Sequence, residues 1–93
     1  MTIYIIEDER HAEWCGEFSS FNDALEELKR RSGIPWDKKP NICPCTNWKN
    51  CGRNYEIVEF DNSTKPWKEH SRTPALDVSA GGVLWGKDVS LKS

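Results

Sequence analysis

The segment from residue 43 to residue 51, CPCTNWKNC, concentrates the residue types that could do chemistry. It holds three of the chain's four cysteines, Cys43, Cys45 and Cys51, and the fourth, Cys15, lies far upstream. Thiolates bind zinc and act as nucleophiles. Unpaired cysteine is also among the most buried residue types and packs as a small hydrophobic residue. The segment is therefore a metal site, a reactive thiol or a small core of its own, and we favour the last interpretation.

A zinc site is the first alternative to packing. Structural zinc takes four ligands in a tetrahedron, and Cys15, Cys43, Cys45 and Cys51 make such a set, with His11 as another candidate for the fourth position. The spacing argues against it, because C-x-C followed by a third cysteine after five residues is not the paired C-x-x-C pattern of most zinc sites. Zinc therefore stays an open alternative and not the expected cofactor.

A reactive thiol is the second alternative. Lys49 and Arg53 flank Cys51, and nearby positive charge lowers the pKa of a thiol. A cysteine nucleophile also needs a base, and His11 and His70 are distant in sequence and belong to no recognisable catalytic signature. The sequence thus predicts no catalytic residue and favours a protein that is not an enzyme.

The charges are unevenly distributed along a chain whose net charge is −2. Residues 1–28 hold eight acids and one Arg, whereas residues 29–53 hold seven bases and one acid. The basic segment, with stacking by Trp36 and Trp48, would suit single-stranded nucleic acid, but the net charge is negative and no nucleic-acid signature is present. We expect acidic and basic segments to lie side by side and to cancel.

Tryptophan is unusually frequent, with five in 93 residues. A chain of this length cannot easily bury all five indoles, and exposed Trp, like Arg, is enriched at binding hot spots. The sequence therefore predicts a binding surface on the 33–53 loop, formed by Trp36, Trp48, Lys49 and Arg53. The expected partner is another protein, which suits a regulatory, inhibitor-like or immunity-like role.

Length and composition describe the class of protein. Residues 1–93 are expected to form a single domain, with 37% hydrophobic and 30% charged residues arguing against disorder. No apolar run approaches the roughly 20 residues of a membrane span. The opening residues MTIYIIEDER lack the pattern of a signal peptide, so we expect a cytoplasmic protein with reduced cysteines.

Hydrophobic periodicity predicts the fold. Period-two alternation and short apolar runs indicate strands, and an i, i+3, i+4, i+7 apolar stripe indicates one helix that begins with a Ser20 cap and ends at a left-handed Gly33. The predicted strands are residues 2–7, 12–18, 54–60, 75–79 and 83–85, and the predicted helix is residues 20–32. The order is ββα-loop-βββ, which predicts an α+β fold with an antiparallel sheet of about five strands, one helix on one face and a long irregular loop containing Cys, Trp and Pro.

Two strands are predicted in more detail. In the first strand, Ile3 and Ile5 alternate with Tyr4 and Ile6, which is typical of a strand covered on both faces. The second strand is expected to place Trp14, Gly16 and Phe18 on one face and Cys15 on the other. Residues 61–73 are expected to be a polar connection, and residues 80–82, AGG, a tight turn.

Overall fold

The computed structural model describes residues 1–42, 52–87 and 89, and it shows a five-stranded antiparallel sheet with one helix packed on it. This arrangement confirms the predicted α+β fold. The sheet order is β2-β1-β3-β4-β5, so β2 and β5 are the edge strands. In chain order the elements are β1 (Thr2–Asp8), β2 (Glu13–Phe18), α1 (Phe21–Ser32), β3 (Arg53–Asp61), β4 (Lys68–Ser79) and β5 (Gly82–Trp85).

Helix α1 begins as the sequence predicts. The Ser20 hydroxyl accepts a hydrogen bond of 3.0 Å from the backbone N–H of Asp23, which satisfies one of the unpaired donors of the first turn. The helix end differs from the prediction, because Gly33 is right-handed, with φ −89°, and not left-handed. The helix still stops there, since Pro35 disfavours helical backbone at the residue before it, Ile34.

The sheet carries a separate apolar cluster on each face. Ile6, Leu28 and Tyr55 belong to the cluster beneath the helix. Ile3 and Ile5 lie on the other face. The alternation predicted for β1 is therefore correct, and residues on both of its faces are buried, Ile3 and Ile5 on one and Ile6 on the other. Within the sheet, β1 lies between β2 and β3. We call the two sides of the sheet the helix face and the open face, since α1 packs only on the first.

The prediction for β2 is wrong at its first half. Ile6 pairs with Gly16 but Glu7 pairs with Trp14, so Cys15 is an extra residue in a β-bulge. Because each added residue reverses the alternation of a strand, Trp14 lies on the open face while Phe18 packs against the helix-face cluster. A pattern of strict alternation could not show this reversal.

The prediction for residues 61–73 is also wrong, because β4 already begins at Lys68. In the part of the chain that the structure describes, its first half pairs only with β3, since β5 pairs with Leu76–Ser79. The first half is thus a sheet edge, where polar residues and Pro74 are tolerated because no neighbouring strand needs the missing N–H. The predicted tight turn is confirmed, and Gly82 takes the positive φ of 119°.

The contact between Gly86 and β4 gives the first prediction. A Cβ at residue 86 would lie 1.9 Å from the carbonyl oxygen of Pro74, so Gly86→Ala must push two backbone segments apart. We expect a loss of about 2–3 kcal/mol in the free energy of unfolding, measured by urea denaturation followed by circular dichroism. Gly33→Ala is the control, because its Cβ would make an ordinary contact of 3.7 Å with Arg30. The control should be neutral or stabilising by about 0.4–1 kcal/mol, and equal midpoints for both variants would contradict the prediction.

Candidate functional site

An internal ion-pair cluster lies where β1, β2 and β3 meet. Arg53 opens β3, and its Nη1 lies 3.1 Å from an Asp8 carboxylate oxygen and 2.8 Å from a Glu13 carboxylate oxygen. Its Nη2 donates a hydrogen bond of 2.9 Å to the carbonyl oxygen of Ile42. The side chain of Asp8 has no exposed surface, so its charge needs these partners to offset the loss of water.

Asp8 also ties the β1–β2 turn to β3. Its carboxylate accepts hydrogen bonds from the backbone N–H of Asn54, at 3.1 Å, and from that of Arg10, at 3.2 Å. The ring Nδ1 of His11 lies within hydrogen-bonding distance of the same carboxylate. Arg53, which the sequence analysis assigned to a binding surface, is therefore placed inside the fold among the chain's own acids. This position gives Arg53 a structural role.

Cys15 is half-buried beside this cluster. Its backbone carbonyl, at the β-bulge, accepts a hydrogen bond of 3.2 Å from Arg31. Burial raises the pKa of the Cys15 thiol, and the nearby charges of Arg53 and Arg31 oppose that shift without overcoming it. A raised pKa keeps the thiol protonated at neutral pH, which disfavours Cys15 as a nucleophile.

The structure describes only one of the four cysteines of the predicted zinc site, Cys15. Within residues 1–42, 52–87 and 89, no group of three or more His, Cys, Asp or Glu side chains is arranged to hold a metal ion. Cys43, Cys45 and Cys51 lie outside the described residues, so the four-cysteine set remains a prediction. The predicted binding residues Trp48 and Lys49 lie outside them as well.

Trp36 is the remaining predicted binding residue. It is half-buried and packs against the helix-face cluster. With Ile34, Pro35 and Val83 it lines a groove of about 290 Å³ between the end of α1 and the β4–β5 hairpin. The structure does not bring Trp36 together with Arg53, because Trp36 lines this groove whereas Arg53 is enclosed by its ion pairs.

The open face carries a site that the sequence analysis did not identify. The rings of Trp14 and Trp67 are stacked, with centroids 5.7 Å apart and planes 21° apart, and both lie against Phe60. These three side chains, with Lys65 and Pro66, line a groove of about 440 Å³, which we call the aromatic groove. The high tryptophan count predicted exposed indoles, but only the bulge at Cys15 and the pairing of β3 with β4 place these rings together.

The surroundings of the aromatic groove are acidic. Arg72 lies on the open face within 3.2 Å of Glu7, 2.7 Å of Glu56 and 2.9 Å of Glu69. The hydrogen bonds that Arg72 donates to these acids, foremost the one to Glu69, raise the pKa of its guanidinium. One guanidinium faces three carboxylates, and Glu17 on the adjacent edge strand adds a fourth acid to this face. Lys65 adds a cation at the groove itself. Four acids thus stand against two cations here, and this acidic excess favours a cation over an anion.

The basic segment that begins in α1 is paired with the helix's own acids. Glu26 lies 3.4 Å from Lys29, and Glu27 lies 2.7 Å from Arg30 and 2.6 Å from Arg31. Hydrogen bonds from Arg30 and Arg31 lower the pKa of Glu27 to about 2. Together with the pairing of Arg53, these contacts support the expectation that acidic and basic segments cancel, and they leave fewer cations for nucleic acid.

Comparison with known proteins adds no relative: no family model matches the sequence, and neither a curated protein nor a solved structure shows significant similarity. Among the described residues, no helix has the length and apolar character that crossing a membrane requires.

The buried carboxylate of Asp8 gives the second prediction. Asp8→Asn keeps the shape of the side chain but leaves Arg53 with less compensation for its burial. We expect the free energy of unfolding to fall by about 3 kcal/mol, measured by urea denaturation. Glu13→Gln removes the more exposed partner of the same guanidinium and should cost about 1 kcal/mol or less. A larger loss for Glu13→Gln than for Asp8→Asn would contradict this account.

The protonated thiol of Cys15 gives the third prediction. At pH 7.5, iodoacetamide should modify Cys15 more slowly in the native chain than in the urea-unfolded chain, because burial limits both access and ionisation. Peptide mapping by mass spectrometry gives the rate for Cys15 separately from the other cysteines. Adding a chelator should leave the native rate unchanged. A rise in the rate would support the zinc alternative, and rapid native modification would support the thiol alternative.

Proposed function

We propose that this protein is a non-enzymatic binding protein whose aromatic groove holds an extended, proline-containing segment of another protein. The observation that carries the proposal is the exposed stack of Trp14 on Trp67 above Phe60. Trp14 is 54% exposed, although its indole is the kind of side chain that folding usually buries. An aromatic surface kept in water at a groove is typical of a contact site.

The shape of the aromatic groove suits an extended chain. Its volume of about 440 Å³ falls in the usual range for ligand sites, and it is open along the sheet surface. Trp14 and Trp67 are in contact with each other, so a ligand packs on the outer surface of the stack and not between the rings. Aromatic surfaces of this kind bind the rings of a polyproline II helix, which loses little conformational entropy on binding because it is already extended. Pro66 and Trp67 lie directly before β4 and help to line the groove.

Charge complementarity defines the segment further. Glu7 lies opposite Trp14 in the β1–β2 ladder, and Glu17 lies on the same face. Glu7 is already paired with Arg72, so a basic side chain beside the proline would meet Glu17 first. The same basic side chain could also lie over the exposed ring of Trp14. We therefore expect a segment that combines proline with Arg or Lys, and a phosphate backbone would be repelled.

The proposal moves the predicted binding surface. The sequence analysis placed it on the 33–53 loop, where Trp36 is half-buried and Arg53 is enclosed by its ion pairs. The kind of function is retained, a regulatory or inhibitor-like protein that acts by contact with another protein. The support for the new position is the exposure of Trp14 and the acids around it.

The fourth prediction tests the groove with a defined probe, a fluorescein-labelled ten-residue peptide of proline with Arg at every third position. Fluorescence anisotropy should show saturable binding to the wild-type chain, weakened about tenfold or more by Trp14→Ala. Trp85→Ala is the matched control, since Trp85 is 42% exposed on the opposite edge strand and should not change the affinity. Circular dichroism checks that both variants remain folded.

Two further probes decide between classes of ligand. A peptide with Glu in place of Arg should bind at least several-fold more weakly, because it meets the acids of the open face. Ten-residue oligothymidine should not bind. The proposal fails if the wild-type chain binds neither peptide at millimolar concentration, if Trp14→Ala binds as well as wild type, or if the oligonucleotide binds more tightly than the Arg peptide.

A further inference from the structure

The edge strand β5 is apolar, and within residues 1–42, 52–87 and 89 no strand pairs with its outer edge. All four of its residues are exposed, Leu84 by 72%, and none of them is charged. Proteins usually protect edge strands with charged residues or proline, because an open edge presents unpaired backbone groups to other chains. The opposite edge strand, β2, follows that rule with Glu13 and Glu17. The difference between the two edges indicates that β5 is paired in the functional protein.

The hydrogen-bond pattern shows which backbone groups of β5 face outward. The N–H of Gly86 donates a bond of 2.8 Å to the carbonyl oxygen of Ala75, so this opposed pair is hydrogen-bonded. In an antiparallel ladder, hydrogen-bonded pairs alternate with pairs that are not. Leu84 is therefore bonded to Asp77 on β4, and the N–H and C=O groups of Val83 and Trp85 point away from β4 toward the open edge.

We propose that β5 pairs antiparallel with β5 of a second copy of this chain, about a two-fold axis that passes beside Leu84. In this register Val83 of each copy lies opposite Trp85 of the partner subunit. These are the residues whose backbone groups face outward, so the two copies form four N–H to C=O hydrogen bonds. The sheets of the two copies then join into one sheet of ten strands, with both helices on the same side.

The side chains fit the same register. On the open face the two Leu84 side chains lie directly opposite each other in a pair without mutual backbone bonds, which is the closer of the two antiparallel spacings. On the helix face, Val83 lies opposite the larger Trp85 of the partner subunit, and aromatic residues pair favourably with β-branched ones across strands. No pair of like charges is brought together on β5.

The alternative symmetric register supports the choice of Leu84 as the centre. Centring the axis on Val83 would place Trp85 opposite Gly81, which belongs to the turn and not to the strand. That register would leave the outward groups of Trp85 without a strand partner. Only the Leu84 register pairs all outward groups of the strand with one another, and this self-complementarity is what a two-fold interface requires.

Sedimentation equilibrium of the wild-type chain between 5 and 500 µM tests the dimer. We expect the average mass to rise from near the chain mass of 10.7 kDa toward twice that value. Leu84→Lys should raise the dissociation constant at least tenfold, because it opposes two like charges at the axis. Glu17→Lys is the matched control, with a lysine on the other edge strand, and should leave dimerisation unchanged.

A cysteine variant tests the register and does not depend on the Lys variant folding. In Leu84→Cys, the two thiols would face each other with Cα atoms about 4.5 Å apart, which fits a disulfide. Oxidation should give a dimer linked through residue 84, identified by mass spectrometry of the joined peptides, whereas Val83→Cys should not cross-link through residue 83.

Three results would each overturn the proposal: a wild-type chain that stays monomeric at 500 µM, a Leu84→Lys variant that dimerises like wild type, or no link through residue 84. Peptide binding at the aromatic groove lies at the other edge of the sheet and is read separately. A failure of this proposal is therefore distinguishable from a failure of the proposed function.

Discussion

The buried carboxylate of Asp8 joins segments that are far apart in the chain. It holds the turn after β1 through Arg10 and His11, and it holds the start of β3 through Arg53 and Asn54. Because an enclosed charge without partners is strongly destabilising, these contacts form together or not at all. Arg53 extends the same constraint to the carbonyl of Ile42, so this bond joins the residue at position 42 to the start of β3.

The bulge in β2 lies beside this cluster and places Trp14 on the open face. Arg31 and Arg53 hold the segment around Cys15 from the helix and from β3. The extra residue turns Trp14 away from the helix and toward Phe60 and Trp67. A single helix can cover only one face of the sheet, so the other face is covered by tryptophan rings and by the Arg72 ion pairs. The tryptophan rings and the side chains of the Arg72 ion pairs therefore remain partly in contact with water.

The two edges of the sheet differ in composition. The β2 edge carries acids and stands beside the aromatic groove, whereas the β5 edge is short, apolar and self-complementary. Gly86 lies so close to Pro74 that the β4–β5 hairpin is firmly attached, and its outer edge is held in a position to pair. A partner segment and a second copy could therefore bind at the same time. The groove extends from Trp14 on β2 to Phe60 on β3, and β4 separates it from β5.

Local periodicity in the sequence determined the elements: the capped helix with its apolar stripe, the strands and their order, and the two covered faces of β1. These features depend on residues a few positions apart, so short-range sequence patterns are sufficient to predict them. Only the tertiary structure decided where β4 begins. A strand can contain Pro74 only where no neighbouring strand needs the missing N–H, and the sequence does not show which side of the strand lacks a neighbour. The tertiary structure also decided that Arg53 is enclosed by Asp8 and Glu13, a contact between residues 45 and 40 positions apart. The sequence could not predict the aromatic groove at Trp14 either. The bulged residue Cys15 reverses the faces of β2, and no local pattern marks its position.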